Sequence, residues 1–207
     1  DNINKISNCK NIILIRSTTV PGTTENFQKK YPNLRLVFNP EFLTERNAVN
    51  DFIDLNRVIL GGMLSDTSKV ERLYFDRFGK DINVIKTDFN TAELIKYMNN
   101  TFLATKISFM NEMKILAEKL NINWDVAVQG FKLDDRVGSS HNDVPGFDGK
   151  LGFGGSCLPK DIQALIFFAK KNNVEMNVLE AAWKTNLKIR PQKDWEKLIG
   201  RAVSKKT

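Results

Sequence analysis

Short apolar runs alternate with polar, helix-compatible segments over the first 90 residues, which predicts strands of a parallel sheet separated by helices. Asn11-Ile12-Ile13-Leu14-Ile15 reads as a strand buried on both faces. Leu34 to Phe38, Arg57 to Leu60 and Ile82 to Ile85 repeat the signal, and Asp66 to Phe78 between the last two reads as an amphipathic helix. The expected class is α/β with a doubly wound, parallel sheet.

From Asp88 the pattern changes. No Gly or Pro appears before Gly130, and Ile95, Met98, Phe102, Phe109, Met113, Leu116 and Leu120 recur at helical spacing. A long helix from Asp88 to Leu120 follows. A second begins near Asn123, with Trp124, Val126, Ala127 and Phe131 on its apolar side. Gly138 to Gly155 holds six glycines and Pro145, too many breakers for a regular element, and predicts a long functional loop. Pro159 then opens a helix over Asp161 to Lys171, and a last one runs from Val178 towards Arg190.

A complete dinucleotide-binding fold starts with a strand, G-x-G-x-x-G and a helix. Nothing here matches that; Gly152-Phe153-Gly154-Gly155 follows a loop and not a strand. A Rossmann-like sheet in this chain would therefore be its second half. The expected division is a sheet domain over 1–87, a helical domain over 88–190, and a basic tail or the start of a further domain over 191–207.

At 207 residues and 42% apolar composition the chain can bury a core. It has no uninterrupted apolar run of about 18 residues, so no membrane span is expected. Cys9 and Cys157, far apart, are too few for a disulfide framework and fit a reducing compartment, with cytoplasm the default. The net charge of +7 is concentrated near the end, where eight Lys or Arg between Lys184 and Lys206 face only Asp194 and Glu196. This stretch reads as a solvated helix face, and no RGG repeat or zinc-finger spacing points to nucleic acid.

Four groups of residues could carry chemistry. Cys157, in Gly154-Gly155-Ser156-Cys157-Leu158-Pro159-Lys160-Asp161, stands just ahead of a helix start, where a sulfur faces the positive end of the dipole and unpaired N–H groups. The alternative is a small buried apolar residue in a tight turn. Lys96 and Asn100, four apart on the long helix, leave one face and together could hold a hydroxyl and steady an oxyanion. On local grounds the pair reads as solvated surface. Glu41 and Glu45 follow the Leu34–Phe38 strand, at the sheet edge where open α/β sheets bind ligands, as either a general base or first-turn acids. Thr18 and Thr19 follow the first strand, where hydroxyls orient water or cap a helix. His141, the only histidine, lies in the Gly-rich loop without a nucleophile motif or metal-ligand spacing.

Taken in order, Arg16-Ser17-Thr18-Thr19-Val20-Pro21-Gly22, Asn39-Pro40-Glu41-Phe42-Leu43, Glu93-Leu94-Ile95-Lys96-Tyr97-Met98-Asn99-Asn100-Thr101-Phe102, Asn111-Glu112, Asp135-Arg136-Val137-Gly138 and the Cys157 segment resemble the UDP-glucose/GDP-mannose dehydrogenase family from about Asn11 to Asn186. The resemblance implies NAD-dependent four-electron oxidation of a nucleotide sugar at C6 to the uronic acid, with UDP-glucose first among UDP- and GDP-sugars. It implies that Cys157 forms a thioester, that Lys96 and Asn100 stabilise the C6 oxygen, that Asp161 and Thr18 place the hydrolytic water, and that Glu41 is the general base. Substrate contacts carried over are Glu45, Phe42, Leu43, Arg136, Phe153 and Gly154; those near NAD are Ser17, Thr18, Glu45 and Cys157. Arg136 matches an arginine that reaches the neighbouring subunit's substrate, and the long helix matches the element that packs two subunits, so a homodimer is implied. Two other readings remain: a non-catalytic dimerisation module, and a β-hydroxyacid dehydrogenase, a class that uses a helix lysine and asparagine but has no need of the thiol.

Overall fold

The computed structural model describes residues 10–202, leaving aside the side chain of Glu45. Cys9, Lys205 and Lys206 lie outside the described residues. Two compact units divide the chain, residues 1–96 and 97–207.

The first unit holds the sheet. Strand β1 (Ile12–Ile15) leads through helix α1 (Thr23–Lys30) to β2 (Arg35–Phe38). A 3₁₀ turn at Glu45–Asn47 and the short helix α2 (Ala48–Ile53) lead to β3 (Arg57–Gly62), and α3 (Leu64–Phe78) leads to β4 (Asn83–Thr87). The spatial order is β1-β2-β3-β4. Two parallel pairs, β1 with β2 and β3 with β4, are joined by their crossover helices. The sheet is not parallel throughout, because β2 and β3 meet antiparallel through Val37 against Gly62 and Phe38 against Gly61. The link between them has no crossover helix: α2 buries no residue, whereas α3 buries Val70 and Tyr74.

Alternation along each strand sends neighbours to opposite faces. Val37, Val58 and Leu60 pack with Val70, Tyr74 and Ile82. Phe38 and Ile59 pack with Ala92 on the next helix. Both faces are covered, as the continuous apolar runs require. Buried Asn39 locks the carboxyl edge, its amide donating to the Ile59 carbonyl at 3.0 Å and its oxygen accepting from the Tyr74 hydroxyl at 2.6 Å.

Helix α4 (Phe89–Lys119) matches the long helix read from the sequence, and the unit boundary falls within it after Lys96. Its burial departs from the usual rule at several positions, although Ala92, Tyr97, Ala104, Met110 and Ala117 are buried as usual. Met98, Phe102, Phe109, Met113 and Leu116 are exposed, while Glu93, Lys96, Asn100, Thr101, Ser108 and Asn111 are buried. The polar side faces inward because nearby backbone satisfies it: in the second unit Ser108 donates to the Ala182 carbonyl at 2.8 Å, and Asn111 accepts from the Gly152 N–H at 3.0 Å.

The second unit continues with α5 (Trp124–Lys132), α6 (Cys157–Lys171) and α7 (Asn177–Ile189). Asn123 caps α5 by accepting from the Val126 N–H. Helix α6 begins at Cys157, earlier than Pro159 suggested. After α7, Lys197 and Arg201 are exposed, whereas two other large side chains are not. Arg190 is 2% exposed, and Trp195, in a 3₁₀ turn at Asp194–Lys197, is buried with its ring 5.2 Å from that of Trp183.

Candidate functional site

In the first unit the carboxyl ends of β1 and β2 present Arg16 to Val20 and Asn39 to Leu43. Lys96 is 6% exposed, so solvated surface is the wrong description of it. Its ammonium donates to the Glu41 carbonyl at 2.6 Å and lies 5.3 Å from the centre of the Phe42 ring, a cation–π distance. The Arg57 guanidinium lies 4.3 Å from the same ring centre. The Glu41 carboxylate points outward, exposed and 3.8 Å from the Arg16 guanidinium. Phe42 and Leu43 line a cavity of ≈ 290 Å³ with Asp51, Asp54 and Arg57. Ser17 is exposed and Thr18 half-buried.

Glu93, which the sequence presents only as a member of a motif, accepts four hydrogen bonds from described residues of this unit. It is 0% exposed. One carboxylate oxygen accepts from the Thr19 hydroxyl, the Thr24 N–H and the Thr24 hydroxyl at 2.7–2.9 Å, and the other accepts from the Gly22 N–H at 2.8 Å. Gly22 stands at the N-cap of α1, which no capping side chain of its own serves. The carboxylate supplies the missing acceptors at a positive helix end. It thereby fixes the turn that follows Ser17 and Thr18.

In the second unit Asn100 is 6% exposed and Asp161 0%. The Asn100 amide donates to one Asp161 oxygen at 2.5 Å, and Lys160 pairs with the other. Cys157 is exposed at the first position of α6, one turn before Asp161, with its sulfur 3.6 Å from the buried Ser156 hydroxyl oxygen. A small buried apolar cysteine is thus the wrong description.

The Gly-rich approach to Cys157 is held from within the unit. Asn186 accepts from the Phe153 N–H at 2.8 Å and donates to the Phe153 carbonyl at 3.0 Å. The Phe153 ring is buried, 6.0 Å from Trp183, so its side chain serves the core and its backbone is engaged by Asn186. A Cβ added at Gly154 would lie 2.4 Å from a terminal nitrogen of Arg190, and one at Gly152 would lie 2.4 Å from the Asn186 oxygen. Gly154→Ala is expected to cost about 2–4 kcal/mol of stability by overpacking a buried ion, read as a lowered urea midpoint.

Arg190 pairs with Asp148 of the loop and with Asp194 beyond α7, each at 2.6 Å. Burial alone would raise the Asp148 carboxyl, but the Arg190 hydrogen bond and charge outweigh it and hold it below its usual value. The Arg190 hydrogen bond likewise holds Asp194 down. Folded values below unfolded ones add stability that is complete above the ordinary carboxylate range, near pH 4, and lost as pH falls through the folded values. The thermal midpoint is therefore expected to drop below about pH 4, and less steeply in Asp148→Asn with Asp194→Asn than in the parent.

Arg136, in a 3₁₀ turn at Asp135–Val137, is exposed and paired with its neighbour Asp134. Lys106, which the sequence did not single out, donates to the carbonyls of Val137, Gly138 and Ser140 at 2.6–3.1 Å and anchors the start of the loop. Among the described residues no group of three or more His, Cys, Asp or Glu is placed to hold a metal ion, and no helix is long and apolar enough to cross a membrane.

These units define an α/β protein with a helical second half and a candidate covalent centre. Residues 1–78 match the model of the UDP-glucose/GDP-mannose dehydrogenase family's NAD binding domain, and residues 90–188 match that of its central domain. The chain belongs to this family. It is 38% identical over 185 residues to a UDP-glucose 6-dehydrogenase of Rickettsia bellii, covering 87% of this chain and 41% of that protein. It is 34% identical to the UDP-glucose 6-dehydrogenase TuaD of Bacillus subtilis, covering 86% and 39%. Among solved structures, a UDP-glucose dehydrogenase of Pyrobaculum islandicum superposes with a TM-score of 0.73 at 32% identity, covering 84% of this chain and 40% of that one. The chain thus spans about two fifths of the length of these relatives.

Proposed function

We propose that this chain carries the catalytic residues for NAD-dependent, four-electron oxidation of a nucleotide sugar, UDP-glucose first, at C6 to the uronic acid. The observation that carries the reading is the exposed Cys157 at a helix start, one turn from a buried Asp161 that grips Asn100. Names of relatives at 34–38% identity support it.

In this scheme Glu41 removes the proton of the C6 alcohol, and Lys96 and Asn100 stabilise the oxygen as it becomes a carbonyl. The Cys157 sulfur adds to the aldehyde carbon, and loss of the second hydride from that carbon leaves a thioester on Cys157. Thr18 and Asp161 place the water that hydrolyses it, returning the thiol and releasing the carboxylate. NAD, when bound, accepts the hydride of each oxidation. Ser17 and Thr18, at the carboxyl end of β1, fit a dinucleotide, since this is the sheet edge at which open α/β folds bind one, and the Glu93 contacts fix the turn beyond them. Glu45 is assigned to substrate or cofactor on the resemblance alone. Phe42 and Leu43 line the sugar pocket, and Gly154, packed against Arg190, gives the loop its shape beside the nucleotide.

We assign residues 1–87 to the cofactor domain and 88–190 to the central domain, acting in the cytoplasm. The exposed Met98, Phe102, Phe109, Met113 and Leu116 stripe of α4 supports a homodimer in which Arg136 serves the neighbouring subunit's substrate.

The test is product stoichiometry in a form completed with the relatives' remaining segments. Two NADH per UDP-glucose, with less from GDP-mannose, is expected. One NADH from a hydroxy acid would favour a β-hydroxyacid dehydrogenase, and none from any substrate a dimerisation module.

A further inference from the structure

Between residue 148 and Cys157 the second unit devotes an unusual amount of buried polar structure to a stretch with no secondary structure of its own. Asn186 holds both backbone groups of Phe153, Asn111 holds the Gly152 N–H, and Arg190 reaches the Leu151 carbonyl at 3.3 Å. Arg190 itself is fixed from two sides, by Asp148 before the stretch and by Asp194 after α7. Gly152 and Gly154 have no room for a side chain because Asn186 and Arg190 occupy that space. Ser156, next to the sulfur, is buried at the end of the same stretch. We propose that Arg190, with Asp148, Asp194 and Asn186, forms a clasp that positions Cys157, so that the segment after α7 is part of the reacting centre's support.

The physical argument rests on where the freedom would otherwise lie. A glycine-rich stretch has many accessible backbone states, and the direction in which it enters α6 sets where the exposed Cys157 sulfur is held. A guanidinium held bidentately by Asp194 and through one nitrogen by Asp148 removes that freedom with a rigid fork, which a lysine can replace only in part. These residues contact neither the sulfur nor a substrate in this account; they act through the loop. The inference rests on the reading of Cys157 as the nucleophile only for its catalytic consequence.

The experiment uses the 207-residue chain with Cys9→Ser, so that iodoacetamide reports Cys157 alone. Alkylation at Cys157 is followed by mass spectrometry at neutral pH, well below the unfolding temperature of each variant. Arg190→Met is expected to slow it about tenfold and Arg190→Lys to recover part of the rate, because a released stretch no longer holds the Cys157 sulfur exposed at the start of α6. Asp194→Asn, a milder change at a partly exposed carboxylate, is expected to slow it about threefold. It carries the test if Arg190→Met does not fold. A merely structural role would lower the unfolding temperature and leave the rate of an already exposed thiol unchanged; unchanged rates in the folded variants would overturn the proposal. The two readings fail separately. Full NADH production by Cys157→Ser in the completed form would remove the catalytic reading and leave the clasp standing, whereas unchanged alkylation beside an inactive Cys157→Ser would remove the clasp alone.

Discussion

Cys157→Ser in the completed form is expected to reduce the steady-state rate of uronic acid formation by at least about 10³-fold, the scale seen when a covalent nucleophile is removed. The serine hydroxyl is close to isosteric, and the site is exposed at a helix start, so no packing defect accompanies the change. Stability should stay within about 0.5 kcal/mol of the parent, as for other exposed substitutions. Separating activity from stability in this way identifies chemistry as the role of the sulfur. Loss of both together would point to a structural cysteine instead. The measurement is a parallel determination of turnover and urea midpoint.

Glu93→Ala is expected to have the largest effect on stability, lowering it by about 3–5 kcal/mol in urea denaturation. The substitution strands the N–H groups of Gly22 and Thr24 and the hydroxyls of Thr19 and Thr24 around a fully buried position. Each buried donor left without a partner costs about 1–3 kcal/mol, and water entering the space recovers some of it. Glu93→Gln keeps one oxygen in place and should lose less than half as much, because only the group facing Gly22 turns from acceptor to donor. A loss below about 1 kcal/mol for Glu93→Ala would mean that the loop finds other partners and that Glu93 is not its anchor.

The strands and long helices were legible in the sequence because short apolar runs and a breaker-free periodic segment leave few alternatives. The antiparallel meeting of β2 and β3 was not, since nothing in the Pro40 to Asn56 link states that its helix buries no residue. The candidate site was legible mainly as ordered motifs. Local reasoning failed at Lys96 and Asn100 for a definite reason: it assigns the apolar stripe of a helix to the core and the polar face to water. Around the candidate site helix α4 does the reverse, exposing Met98 and Phe102 while burying Lys96 and Asn100, although Tyr97 and Ala104 are buried in the usual way. Once a second surface has to be covered, an outward apolar stripe carries no information about which face lines a site.

Glu93, Asn186 and Arg190 escaped for a related reason. Most of their partners are backbone groups 33 to 71 residues away or, for Arg190, the carboxylate of Asp148 in a distant loop, pairings that no spacing in the chain encodes; only Asp194, four residues after Arg190, stands at a readable spacing. One signal was available. Gly152 and Gly154 are glycines in a segment with no turn requirement at Gly154, which indicates that something large approaches the backbone there.

Intact-mass analysis of Asp161→Asn in the completed form, quenched in acid after mixing with UDP-glucose and NAD, tests the central claim most directly. Slowed hydrolysis should let the uronoyl thioester accumulate, so the account predicts an adduct of that mass mapping to the peptide that contains Cys157. NADH formation at two per sugar with no adduct on Cys157, or with the adduct on another residue, would contradict it.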